Sequence, residues 1–546
     1  MNSQRLARTQ RSRRADPGRL VGFIVAFVIA VLACARADVP VDYGNVTPIN
    51  QTTPIWLQGA PTGPPTATLP PASPPVAGVP SATARFTQDT SNTPTPDATR
   101  PSVLERQTVE EYTVQRGDSL TMIGMRYGLS AAQIAEANDM LVTDVLAVGA
   151  VLTIPTPNLN DFGPSLKLVP DSDFVYGPST VGFNLDAFID AHDGYLASYT
   201  EEIDGALLDG SDEARTLTGS EIVQLVAEHY SLSPRLLLAV LEHQSGWVTN
   251  PSPGSDTLAY PIGQVEVGRD GLYRQLTWAA RQLNSGYYGW RAGYLISWSF
   301  GDGSVALISP GLNAGTVGVQ GFFASLLIPS DWEQAVTEEG FFTTYWLLYG
   351  NPFTQAFEPV VPPDLLQPPM QLPFETGDVW SFTGGPHPAW DTGSGWAALD
   401  FAPPGEPRGC VITEAWATAA ADGIVVRSSD GSLVIDLDGD GYEQTGWALF
   451  YLHMDRLDRA EVGTVVKAGD RVGHPSCEGG VSNGTHLHFA RKYNGEWIPA
   501  DGAVPFVLDG WVSGGLASQY DGIMTNGTRT IEAYDGRDEI NQVSRP

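Results

Sequence analysis

"GIVVRSSDGSLVIDLDGDGYEQTGWALFYLHM", residues 423–454, decides the fold of the C-terminal third of this chain. Runs of β-branched and aromatic residues are cut by Asp-Gly pairs, the dipeptide that supplies the positive φ angles of tight turns. The stretch therefore reads as short strands joined by hairpins. The same grammar continues in "GTVVKAGDRVGHP" at 463–475 and "GTHLHF" at 484–489. Residues i and i+2 of a strand share a face, so His486 and His488 point the same way. Five of the eight histidines, His387, His453, His474, His486 and His488, fall in this all-β region.

Outward from it, 546 residues are too many for one core and predict several domains. Sixty-two acids against 30 bases give a formal charge of −32. A surface so acidic repels phosphate backbones, which argues against nucleic acid as a partner.

Seven of the arginines crowd into the first 37 residues, ahead of and just after the apolar run "LVGFIVAFVIAVLACA" at 20–35. Sixteen residues are short for a membrane span, which needs roughly 20, and the pattern is that of an export signal. Three fates stay open: cleavage after Ala37, acylation of Cys34 in a lipoprotein signal giving a lipid anchor to the membrane, or retention as an uncleaved anchor. Each puts the rest of the chain outside the cytoplasm, at the cell surface or secreted. In such a compartment Cys410 and Cys477 either pair or stay free thiols. Residues 38–110 are rich in Pro, Thr and Ser and read as a disordered spacer.

Residues 111–155 open and close with short strands around two helical runs, capped by Asp118 or Ser119 and by Ser130. "YTVQRGDSL", "IAEAN" and "VGAVLTIP" make this β-α-α-β unit resemble a LysM module. The resemblance implies binding of glycan strands that contain N-acetylglucosamine. Residues 165–358 read as a mainly α domain, with a capping box at Thr218 and Glu221 and an N1 proline after Ser233. "Gln244-Ser245-Gly246-Trp247" resembles the catalytic helix end of lysozyme-like transglycosylases, but with an amide where the family has its glutamate. An amide has no acidic proton for a glycosidic oxygen, so the expectation is a lysozyme-like scaffold without catalysis, or an unrelated helical domain. Glu242, two residues earlier, faces another side of the helix.

A proline-rich linker at 359–375 precedes the β-domain, 376–515, and a C-terminal extension at 516–546 follows it. The pieces "TGGPH" (383–387), "ALDFAPPG" (398–405), "YLHM" (451–454) and "GTHLHF" (484–489) resemble, in order, the lysostaphin and beta-lytic class of zinc endopeptidases. That resemblance implies an enzyme, a hydrolase cutting peptide stems or cross-bridges of peptidoglycan in the bacterial cell wall. It makes His387, Asp400 and His488 ligands of Zn2+, the three protein donors of a catalytic site with one position open. His486 becomes the general base and His453 the donor to the oxyanion. Asp391, four residues after His387, competes with Asp400 for the carboxylate position. A non-catalytic peptidoglycan-binding or hydrolase-activating protein that keeps the fold is the alternative. His474 matches no catalytic position. Asp436, Asp438 and Asp440 mimic the start of a calcium loop, but Trp447 stands where such a loop needs glutamate, which favours a polar turn.

Overall fold

The computed structural model describes residues 108–545 apart from 116, 158–161, 212, 355, 406–408 and 517. The stretch expected to be an export signal, Cys34 and most of the expected spacer lie outside the described residues. Among those described, no helix is long and apolar enough to cross a membrane.

Strands β1 (Glu110–Thr113) and β2 (Val151–Ile154) pair antiparallel around helices α1 (Leu120–Tyr127) and α2 (Ala131–Ala137). Ser119 caps α1 by accepting the Met122 amide, and Ser130 closes a capping box with Gln133 on α2. Asp118 instead accepts the Tyr112 hydroxyl and the Gln115 amide. Leu120, Ile123, Leu129, Ile134, Leu152 and Ile154 form the small core.

Next come β3 (Thr200–Ile203) and β4 (Arg215–Thr218), helices α3 (Gly219–Tyr230), α4 (Pro234–Ser245) and α5 (Leu272–Arg291), the hairpin β5 (Ser297–Ser299) and β6 (Val305–Leu307), and α6 (Ala314–Ala324). Thr218 and Glu221 form the expected capping box on α3. Helix α6 is buried along its whole length and crosses α5 at Gly286, where a Cβ would lie 2.9 Å from the Gly318 Cα, while one at Gly318 would meet the Phe174 ring and the Leu283 carbonyl. The Ile296 amide donates to the Met125 carbonyl, tying this domain to the first.

The β-domain contains β7 (Val379–His387), β8 (Ala398–Ala402), β9 (Ala417–Thr418), β10 (Gly423–Ser429), β11 (Ser432–Asp436), β12 (Trp447–Leu452), β13 (Val465–Val466), β14 (Arg471–Gly473), β15 (Leu487–Tyr493) and β16 (Glu496–Trp497). After them run β17 (Val507–Leu508), β18 (Trp511–Gly515), β19 (Gly522–Asn526), β20 (Arg529–Glu532) and β21 (Gln542–Ser544). The main antiparallel sheet has the order β13-β10-β11-β12-β15-β8-β7-β21, with β16 on β15, and β17 to β20 form a second sheet. The segment before β7 is strapped to the domain: the Gln371 amide donates to Ala420 and the Leu372 amide to Asp509.

Alternate residues of the central strands enter two different cores. Leu433, Leu449, Tyr451, Leu487 and Phe489 pack with the rest of the β-domain. Val434, Ala448, Phe450, Leu452 and Ala490 pack with the helical domain. With both faces covered, "WALFYL" is apolar throughout rather than alternating, and every residue of β8, β12 and β15 is buried. Cys410 and Cys477 are bonded, with Cα atoms 5.8 Å apart.

The capping box on α3 yields a direct test. Replacing Thr218 by Ala removes the hydroxyl that holds the Glu221 amide and is expected to cost about 1 kcal/mol in denaturant unfolding followed by circular dichroism.

Candidate metal centre

Strand register brings the site together. His488 on β15 stands directly opposite Asp400 on β8, and β8 in turn pairs with β7, which ends at His387. The facing partner of Asp400 on β7 is Gly384. A Cβ there would lie 2.6 Å from the Asp400 Oδ2 atom, so the carboxylate occupies space that only glycine leaves open. Gly385 does the same for the backbone, admitting Gly522 of β19 to within van der Waals contact. That approach places Tyr520, whose ring stacks on His387 at 4.2 Å. Nothing in the spacing of the sequence motifs pointed to Tyr520, which lies outside all of them.

Three atoms converge. His387 Nε2 and His488 Nδ1 are 3.0 Å apart, and each is 3.2 Å from Asp400 Oδ1. A tetrahedral ion with bonds of about 2 Å spaces its ligand atoms about 3.3 Å apart, so the triangle has the right size for zinc. Its chemistry also fits. His387 Nδ1 lies 2.8 Å from the Gly385 carbonyl and His488 Nε2 lies 2.9 Å from that of Ala389. A carbonyl only accepts, so each neutral ring spends its one proton there and turns a lone pair toward Asp400. The Asp400 Oδ1 atom is buried without a well-formed hydrogen bond. Three electron pairs facing one another out of water call for a cation.

Two further imidazoles stand beside this triangle. His486 precedes β15 with Nε2 3.7 Å from Asp400 Oδ1 and Nδ1 2.7 Å from the Gly484 carbonyl. His453 follows β12 with a left-handed φ of 60°, a conformation that costs energy in a residue with a Cβ. Its Nδ1 lies 2.8 Å from the Glu478 carbonyl, and its ring is 4.6 Å from that of His486. Both rings therefore present an unprotonated Nε2. Burial, reinforced by His486 and His488, pushes the pKa of His453 well below the ordinary imidazole value, and burial also lowers that of His488. For Asp400 burial acts to raise the pKa and positive charge on His387 and His486 acts to lower it, so with these rings neutral the task of keeping the carboxyl ionised passes to a bound cation.

The other residues singled out in the sequence lie elsewhere. Asp391 is bound by Arg281 Nε at 2.5 Å and by the Tyr230 hydroxyl at 2.7 Å, both from the helical domain. His474 donates from Nδ1 to the Ala415 carbonyl and packs on Trp416. Asp436, Asp438 and Asp440 do converge, but in the turn between β11 and β12, where they accept amides of that turn and the Thr445 hydroxyl. Gln244 donates to the Ile262 carbonyl, and Glu242 accepts the amides of Val248 and Thr249 and the Thr249 hydroxyl. Both side chains are thus spent on local structure.

Residues 410–499 match the family model for peptidase family M23, a stretch that holds His453, His486 and His488. Residues 112–155 match the LysM domain, and 167–362 match the family model described as LasA, N-terminal domain. More particularly, the chain is homologous to Protease LasA of two Pseudomonas aeruginosa strains, PAO1 and UCBPP-PA14. Identity is 28% in both cases, over 361 and 362 residues, covering 62% of this chain and 77% of each relative. Among solved structures, the M23 metalloprotease pseudoalterin from the deep sea is 26% identical, with 32% of this chain and 98% of that chain covered at a TM-score of 0.26. The catalytic domain of lysostaphin from Staphylococcus simulans is 24% identical, with 22% and 87% covered at a TM-score of 0.16.

The tight fit at Gly384 carries a prediction of its own. Gly384→Ala is expected to drive the Asp400 carboxylate aside and to lower stability by about 1–3 kcal/mol, read as a reduced midpoint in urea unfolding. An unchanged midpoint would mean that the pocket around Asp400 yields freely.

Proposed function

We propose that the chain is an exported bacterial cell-wall hydrolase. Its β-domain is a zinc-dependent endopeptidase acting on peptide stems or cross-bridges of peptidoglycan, and its LysM domain holds the enzyme on glycan strands. The observation that carries this reading is the convergence of His387 Nε2, Asp400 Oδ1 and His488 Nδ1 with their lone pairs inward. The Cys410–Cys477 bond supports export, since disulfides persist in oxidising compartments. Homology to a protease and the LysM match support the substrate class.

His387, Asp400 and His488 would hold a zinc ion, which would supply Lewis acidity toward a bound water and the substrate carbonyl. The residues of the chain do the rest. His486 offers Nε2 to the proton of the attacking water and later returns that proton to the departing amine. His453 in its neutral tautomer presents a lone pair, so at the outset it too accepts from the water. It donates to an oxyanion only once protonated, and its burial disfavours that state until negative charge develops beside it. Asp400 stays ionised and offsets one charge of the cation.

The alternative, a non-catalytic binding or activating protein, predicts decay of the site that its fold no longer needs. The intact set of His387, Asp400, His453, His486 and His488 counts against it.

Purified protein is expected to release soluble peptides from peptidoglycan and to stop when zinc is chelated. His488→Ala should lose metal and turnover together. His486→Ala should keep zinc and lose turnover by about 100-fold or more, as expected for a general base. Equal loss of zinc in both variants would show that the pair has been assigned the wrong way round. Separately, residues 108–157 fused to a carrier should sediment with insoluble peptidoglycan. Retention no greater than that of the carrier would rule out anchoring by LysM.

A further inference from the structure

The loop at 388–397 joins the two ligand strands β7 and β8, and it is gripped from the helical domain. Within the loop, the Ala389 amide donates to the Gly395 carbonyl and the Trp390 amide to the Ser394 hydroxyl, which closes a compact turn. The Trp396 carbonyl accepts the Ala500 amide of the β-domain, and the loop's tip is held by α3 and α5. Asp391, in a left-handed conformation at φ 52°, has Oδ2 bound by both Arg281 and Tyr230. The Trp390 ring lies 4.1 Å from that of His229. Gly393 sits so close to α5 that a Cβ would meet the Arg281 carbonyl at 2.6 Å and the Ser285 hydroxyl at 2.5 Å. From the inner side of the same turn, the Ala389 carbonyl takes the proton of His488 Nε2 and so fixes which nitrogen faces Asp400.

We propose that the helical domain is a working part of the metal centre: Arg281 and Tyr230 hold Asp391, and through it the loop whose Ala389 carbonyl sets the tautomer and aim of His488. Asp391 is then a positioning residue, and the spacing that makes it look like a ligand reflects the short loop between two ligand strands. Arg281, more than 100 residues away in sequence, belongs to the same device. Loss of the clamp leaves every zinc donor in place but frees the His488 ring to turn or to adopt the other tautomer. The cost falls on metal affinity first and on turnover through it. This rests on the reading of the triangle as a zinc site.

The test uses the full chain and a chromophoric chelator in competition for zinc, with ring-nitrogen NMR of the zinc-free protein to report the His488 tautomer. Arg281→Ala and Asp391→Asn are each expected to weaken zinc binding about tenfold, the low end for groups behind a ligand. The double variant should lose no more than either single one, because both act on one contact. Arg281→Lys should recover part of the loss, and both single variants should show His488 with a mixed tautomer. Tyr230→Phe removes one hydroxyl with little risk to folding and should weaken binding roughly threefold. Wild-type affinity in Arg281→Ala and Tyr230→Phe would overturn the proposal. So would abolition of binding in Asp391→Asn with Arg281→Ala unaffected, since Asp391 would then be a ligand itself. If the unaltered chain binds no zinc while its His488 tautomer is as described, the metal reading fails instead.

Discussion

Three lone pairs directed at one another across about 3 Å, in a largely buried site, are the constraint around which this domain is built. Neither imidazole has a proton to relieve the contact, because each has given it to a backbone carbonyl. Such an arrangement is costly without a cation and favourable with one. It holds only because the register of β8 on β15 sets His488 against Asp400, and because Gly384 leaves the carboxylate room. The same device recurs at His486 and His453, whose Nδ1 atoms also face carbonyls. Four rings thus have their orientation fixed by main chain, which shifts less on substitution than side chains do.

That face of the sheet is also where the helical domain packs. Asp400 and His488 alternate with Leu399, Leu487 and Phe489 of the inner core, and so stand on the side of Ala398, Phe450 and Ala490. Away from the metal site, the interface contains a buried ionic cluster. Arg427 on β10 binds Glu443 through two nitrogens at 2.9 and 3.0 Å, Lys492 on β15 binds Glu443 at 2.7 Å, and Glu228 on α3 stands 4.0 Å from Arg427. Burial raises the pKa of Glu228 to about 7 although Arg427 opposes it. Glu443, which burial would raise as well, is held at about 2 by Arg427 and Lys492. Buried pairs of this kind add little net stability, because removing the ions from water costs about as much as their attraction returns. They do fix geometry: a helical domain shifted by one residue would bury Glu228 away from the Arg427 charge, while Arg427 kept Glu443. The cluster therefore specifies where the domain sits more than how tightly it holds.

What could be read in the sequence follows from range. Strand-forming runs, Asp-Gly turns, the cap at Ser130 and the capping box at Thr218 are local, and the structure contains them at those residues. His486 and His488 were legible as a same-face pair because a period of two needs no tertiary information. The coverage of the second sheet face was not legible, since "WALFYL" is equally apolar whether its outer side meets helices or another strand. Tyr520 was hidden for a related reason: it reaches His387 only because Gly385 and Gly522 let two strands from distant parts of the chain touch. Tautomers were also out of reach, because each depends on a carbonyl whose position the fold supplies.

The helix α4 shows the opposite case, a local pattern that misleads. "Gln244-Ser245-Gly246-Trp247" has the look of a catalytic helix end, yet each residue there has a structural task. Gly246 ends the helix at φ 68°, a left-handed angle that glycine adopts without penalty, and its amide donates to the Glu242 carbonyl. Trp247 is fully buried against Tyr195 and Tyr199. Gln244 ties down the Ile262 carbonyl, and Glu242 caps the turn that follows. A glutamate at 244 could not donate to that carbonyl while ionised, so the amide is what the local hydrogen bond requires. The resemblance to a transglycosylase thus stems from the demands of ending a buried helix with a glycine and an aromatic anchor. Gln244 and Glu242 serve those demands through local hydrogen bonds.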